Sequence, residues 1–111
     1  MEMRRGDLIL AAIPGDYGKI PLLLVLQDDA FGKISSVTVL PLTSDLVDFP
    51  LVRLNVDPTN ENGLRQPSQI MVDKAGTVRR DKVVRQIGRL DAGTIRAAGM
   101  ALKQFLGLDE I

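Results

Sequence analysis

Three short polar clusters in this 111-residue sequence hold side chains that could do chemistry. The first is Asp16-Tyr17-Gly18-Lys19 and the second is Thr43-Ser44-Asp45. The third runs from Asn62-Gly63 through Arg65 to Ser68-Gln69. Taken singly, each fits ordinary loop chemistry, with Gly for turns and Asp, Asn and Ser for local hydrogen bonds. What a site could use is bounded by what the sequence lacks. It contains no histidine and no cysteine. The commonest general base and metal ligand is therefore missing, together with disulfides, zinc-thiolate sites and thiol nucleophiles. Any reaction must run on Asp, Glu, Lys, Arg, Tyr, Ser or Thr. A metal would need oxygen ligands alone, and the sequence has no EF-hand or carboxylate-cluster spacing, so no metal site and no cofactor are expected.

The elements that must position these clusters are mostly strands. Leu8–Ile13 reads as a short strand broken by the turn chemistry of 14–18. Ile20–Leu26 is continuously apolar and β-compatible, which predicts a central strand buried on both faces. Residues 28–36 read as a loop or one helical turn, and Val37–Leu40 as a strand with Pro41 at its end. Leu51–Val56 alternates as a half-exposed strand should. A polar loop over 57–63 leads to a short strand at Gln69–Val72. Thr77-Val78 and Val83–Ile87 supply further extended pieces.

One helix closes the chain. Asp91 is a good N-cap and Gly107 a good residue just past the end. Between them Ile95, Ala98, Leu102, Phe105 and Leu106 recur on one face. Gly93 and Gly99 weaken the helix, so packing on the sheet must hold it. Several strands followed by one helix predict a mainly β fold, a strongly curved antiparallel sheet or small barrel.

Length and composition fit one domain spanning 1–111. Aromatic residues make up only 4% and Trp is absent, so the core must be Leu, Ile and Val, which suits packed strands better than a large ligand cavity. Fourteen basic and fourteen acidic residues cancel, so net charge does not advertise nucleic acid, although a basic cleft can coexist with an acidic remainder. The run Ile20–Leu26 is far too short to span a membrane. The opening MEMRRGD is not followed by a signal-peptide core. A cytoplasmic protein with no membrane association is expected.

The clusters gain meaning from their order. Arg5-Gly6-Asp7 before an apolar strand, a Gly-containing loop, and Leu24-Val25-Leu26-Gln27-Asp28-Asp29 together resemble the opening of MazF/PemK-like toxins of type II toxin–antitoxin systems, within the Kid/CcdB superfamily. Thr38–Ser44, Asn62-Gly63-Leu64, Ser68-Gln69-Ile70, Ile87-Gly88-Arg89-Leu90 and the final helix match later landmarks in order. The resemblance covers nearly the whole chain.

It implies an SH3-like or plasmid-maintenance-toxin barrel, a homodimer, and an antitoxin partner whose acidic tail occupies the RNA groove. It also implies metal-independent, sequence-specific cleavage of single-stranded RNA, in which the ribose 2′-hydroxyl attacks the adjacent phosphate. Thr43 falls on the family's threonine and would bind or polarise that phosphate; hydrogen bonding to its own strand end is the equal alternative. Ser44, Arg65, Ser68 and Gln69 fall near the implied RNA path, and Asp16 and Tyr17 lie in the first loop, where a base could stack on the ring.

One departure matters. The family's chief catalytic arginine precedes the second strand, where this sequence reads Lys19-Ile20-Pro21-Leu22. Neither Ile20 nor Pro21 can neutralise a phosphate, and losing such a donor typically costs about 100- to 1,000-fold in rate. Lys19 or Arg65 could substitute, Lys19 only as a point charge. Attenuated cleavage is one consequence. A CcdB-like toxin that binds DNA gyrase without catalysis, or an inactive antitoxin-binding homologue, are the alternatives left open.

Overall fold

The computed structural model describes residues 2–12 and 20–108. Seven strands and one helix follow in order: β1 (Asp7–Ala11), β2 (Leu22–Val25), β3 (Ser36–Thr43), β4 (Arg53–Val56), β5 (Ser68–Met71), β6 (Gly76–Arg79), β7 (Val83–Arg89) and α1 (Ala92–Phe105). The strands pair antiparallel in the order β4-β5-β3-β2-β1-β7, with β6 also paired to β3. This path is open at β4 and β7 among the described residues, so the expected curved antiparallel sheet is present without closing into a hydrogen-bonded barrel.

The apolar run at 22–26 lies in the middle of the sheet because both its faces are covered. Leu24 and Leu26 join Leu8, Leu40, Leu42 and Ile70 on the face where α1 docks Ile95 and Ala98. Leu23 and Val25 join Ile9, Val37, Val39 and Val78 on the other. Alternate residues of one strand thus feed two cores, which removes the need for a polar face.

The boundaries depart from the sequence pattern where local chemistry intervenes. β2 starts at Leu22 and Ile20 is exposed, because Pro21 has no N–H to continue a ladder. Pro41 lies inside β3, in the gap between the residues paired with β6 (Ser36–Val39) and those paired with β5 (Leu42-Thr43). β4 starts at Arg53, since the amides of Val52 and Arg53 both turn back to the Phe49 carbonyl. Val72 is buried but belongs to a 3-10 turn after β5. β7 runs on through Gly88 to Arg89. Ile13 and the turn at 14–18 lie outside the described residues.

Asp91 caps α1 as expected, accepting from the Thr94 amide at 3.0 Å and the Thr94 hydroxyl at 2.6 Å. These bonds, the hydroxyl's first, hold its carboxyl below the ordinary value. The cap is therefore intact at neutral pH and is lost only as pH falls through that lowered value. Gly107 follows the last turn with φ of 71°. The helix meets the core through Ile95 and Ala98, with Ala101 and Leu102 partly buried against it, whereas Phe105 and Leu106, expected on the packed face, are exposed with Met100 and Leu108 because the core stops at Leu102. No helix among the described residues is long and apolar enough to cross a membrane.

Arg5-Gly6-Asp7 ties the entry of the sheet together. The Gly6 amide donates to Val25 O at 2.8 Å and its carbonyl accepts from Leu90 N at 3.0 Å. Asp7 is 4% exposed, and its carboxylate accepts from Arg4 N at 2.8 Å and Arg89 Nη1 at 2.9 Å. Asp7→Ala removes the charge-assisted bond to Arg89 on β7 and the one to the Arg4 amide before β1, and should lower the unfolding free energy by about 2 kcal/mol, read from the shift of a urea denaturation midpoint at unchanged slope.

Candidate active site

A cleft of about 430 Å³ opens over the sheet. Its floor is Leu10, Leu22 and Leu42, which stand directly opposite one another in register across β1, β2 and β3. The same row continues to Arg85 on β7, opposite Leu10. Residues opposed in register share a face, so Arg85 stands at one bank of a leucine floor. Thr43 and Ser44, at the end of β3, form the other. Gly63, Leu64, Arg65, Gln66 and Ser68 make the wall between them.

That wall is held by a backbone seam. The Asn62 side chain is 3% exposed. Its Oδ1 accepts from Thr59 N at 3.0 Å and Leu64 N at 2.9 Å, and its Nδ2 donates to Asp57 O at 2.9 Å. The loop so wound lies flat on β7, where Arg89 N donates to Glu61 O at 2.8 Å. Glycine is required on both sides. A Cβ at Gly63 would sit 2.3 Å from Ile87 O, and Gly63 has φ of 70°. A Cβ at Gly88 would sit 2.4 Å from the Asn62 carbonyl atoms. With the seam closed, Leu64 enters the core and Arg65 emerges beside it into the cleft.

Four residues singled out in the sequence are thereby brought together: Thr43, Ser44, Arg65 and Ser68. The Thr43 hydroxyl accepts from Asp45 N at 3.0 Å. That is the strand-end bond weighed above, and it uses a lone pair, so the hydroxyl proton remains available for a ligand oxygen. The Ser68 hydroxyl donates to Gln66 O at 3.0 Å, committing its proton to the loop. Gln69 is not in the cleft. It is 5% exposed, with Oε1 accepting from Val47 N and Arg53 Nη1, and Nε2 donating to Val47 O and Asn55 Oδ1. It fastens the segment after Ser44 to β4 and β5. Asp16, Tyr17 and Lys19 lie outside the described residues.

Arg85 is the lining residue the sequence reading passed over. β7 carries two register shifts against β1, one on either side of Arg85-Gln86. Such bulges re-aim side chains, so strand alternation could not assign Arg85 a face; an arginine among Val83, Val84 and Ile87 was the available signal. The cleft has two guanidiniums and three hydroxyls, and no carboxylate among the described residues lining it. That chemistry suits an anion. No group of three or more potential metal ligands of the His, Cys, Asp and Glu types occurs among the described residues.

A small curved antiparallel sheet, one C-terminal helix and a basic, hydroxyl-lined cleft define the class. The chain belongs to the family described as PemK-like, MazF-like toxins of type II toxin-antitoxin systems, whose model matches residues 4–106. It is 42% identical over 107 residues to a probable endoribonuclease MazF of Mycolicibacterium smegmatis, covering 96% of this chain and 98% of that one. Among solved structures it is similar to the Mycobacterium tuberculosis toxin MazF-mt6, with 27% identity, a TM-score of 0.73, and 88% and 93% of the two chains covered. A mycobacterial endoribonuclease solved with its cognate antitoxin shares the fold at a TM-score of 0.80, with 19% identity and 96% of each chain covered. These likenesses support the MazF/PemK branch over the CcdB-like alternative.

Gly88→Ala forces a methyl against fixed backbone and should lower stability by about 1–3 kcal/mol. Because the seam also aims Arg65, the variant should lose RNA binding at temperatures where circular dichroism still reports a folded sheet.

Proposed function

We propose that the chain is a metal-independent endoribonuclease, the toxin of a toxin–antitoxin pair, cleaving single-stranded RNA at short sequences in the cleft between Thr43 and Arg65. The observation that carries this reading is Thr43 itself: its hydroxyl is fixed by Asp45 N yet keeps its proton, on a basic cleft wall. The 2′-hydroxyl of the ribose gives up its proton to solvent and bonds to phosphorus as the bond to the 5′-oxygen breaks and that oxygen takes a proton from solvent, giving a 2′,3′-cyclic phosphate and a 5′-hydroxyl end. Thr43 donates to a non-bridging oxygen as negative charge grows there, and Arg65 and Lys19 supply positive charge. Ser44 and Ser68 flank the RNA, with Asp16 and Tyr17 contributing from the first loop. Gln69 acts through the loop it fastens.

The whole 1–111 chain serves as one toxin domain in the cytoplasm. A homodimer is supported by the exposed apolar side chains Met100, Phe105, Leu106 and Leu108 at the end of α1. The named likeness to an endoribonuclease in complex with its cognate antitoxin supports a protein antitoxin for this chain also.

The purified chain, incubated with a long RNA in EDTA, should produce 5′-hydroxyl ends at a short shared sequence. Thr43→Val should lower single-turnover cleavage by about 100-fold, the scale of losing one transition-state donor. P21R, which adds a guanidinium beside the first loop, should raise it. Cleavage by neither the native chain nor P21R would overturn the endoribonuclease reading.

A further inference from the structure

The chain's nine arginines differ in what their guanidiniums touch. Arg89 is held by Asp7, Arg79 by Asp81, Arg53 by Gln69, Arg80 by Ile34 O and Arg5 by Leu26 O. Their donors are spent on the fold. The Arg65 and Arg85 guanidiniums, in contrast, make no hydrogen bond or ion pair among the described residues; the same holds for Arg4 and Arg96, but of these four only Arg65 and Arg85 line the leucine-floored cleft. A guanidinium at the edge of an apolar floor, without a counter-ion and with a rigid five-donor fork, is poised for a ligand oxyanion.

We infer that Arg85 binds a backbone phosphate of the RNA across the leucine floor from Thr43, with Arg65 on the wall between them. The inference rests on the RNA reading above and adds to it a residue outside all three polar clusters. Its geometry comes from the register. β1 and β2 separate β7 from β3, so about 14 Å of sheet lies between the Arg85 and Leu42 backbones if the sheet were flat. The curl of the sheet shortens that span, and the Arg85 side chain reaches inward over it. A strand of RNA lying on Leu10, Leu22 and Leu42 then has apolar contact beneath it, a hydroxyl donor on one bank and a cation on the other. This also answers the absence of an arginine at Ile20-Pro21: positive charge enters from β7 and the 64–67 loop instead of from the start of β2.

The probe is a mixed-sequence 2′-O-methyl RNA, which lacks the attacking hydroxyl and reports binding apart from cleavage. Arg85→Gln should weaken its binding about 10- to 100-fold, the worth of one charge-assisted bond. The slope of log K against log salt should become shallower by about 0.7, one phosphate contact on a single strand. Arg85→Lys keeps the charge and should keep the slope while losing several-fold in affinity, since a point charge cannot form the two-pronged contact. Arg96→Gln, on α1 away from the cleft, should match the native chain in both readings. Native affinity and slope in both Arg85 variants would overturn the proposal while leaving cleavage untouched. An Arg85-dependent slope in a chain that yields no 5′-hydroxyl ends would uphold the phosphate site and overturn the cleavage reading. Failure of the native chain to bind the probe at low salt would overturn the proposal outright.

Discussion

No side chain fits between residues 62–63 and residues 87–88, and the cleft depends on that. The Asn62-Gly63 backbone and the Ile87-Gly88 backbone approach so closely that a single added methyl carbon would lie 2.3–2.4 Å from carbonyl atoms. Asn62 makes the approach possible by satisfying the amides of Thr59 and Leu64 within the loop, so that these groups need no partner from β7. Because the loop rests on β7 and not on solvent, Leu64 is driven into the core and Arg65 is left at the surface of the cleft. A looser loop would present the same residues with no fixed relation to Thr43. The seam thus converts a polar, turn-rich segment into one wall of a site.

The Thr43 bank is held by a second set of bonds. Thr43 ends β3, and the chain beyond it would be free to swing were it not for Gln69, whose amide bonds both the N–H and the carbonyl of Val47. Arg53 completes the tie by donating to Gln69 Oε1 and to the Asp45 carbonyl. Buried polar networks of this kind are favourable only when every member is satisfied, and no buried side-chain polar atom among the described residues is left without a partner. The two devices are joined in the chain, since the loop runs on into Ser68-Gln69 and Gln69 pairs with Thr43 across β5 and β3. The row of Leu10, Leu22 and Leu42 lies beneath both.

Much of this was legible beforehand, for reasons that differ by element. The two-sided burial of 22–26 followed from an uninterrupted apolar run, since a strand with no polar position can have no wet face. The cap at Asp91 and the stop at Gly107 follow local rules that a sequence displays directly. What misled was long-range. Phe105 and Leu106 obey helical periodicity, yet the packed core stops at Leu102, and no periodicity encodes where a neighbour stops. Pro41 looked like a terminus because a proline forfeits a ladder bond; it is tolerated where β3 changes partners from β6 to β5. Gln69 carries the same polar label as Ser68, its neighbour, but successive residues of a strand face opposite ways. Only the fold decides which of them meets the cleft.

Arg85 shows the same limit from the other side. Its neighbours Val83, Val84 and Ile87 give no clean alternation, because β7 carries extra residues against β1 on both sides of it. Bulges break the two-residue period on which face assignment rests, and they also aim a side chain where a regular strand could not. The feature that hid Arg85 from sequence reading is therefore the one that sets it over the floor of the cleft. A catalytic cation need not keep its place in the chain if the electrostatics at the phosphate are kept. Uncharged residues at Ile20-Pro21 are compatible with the proposed phosphate site, because the two guanidiniums that line the cleft come from β7 and from the loop after the seam.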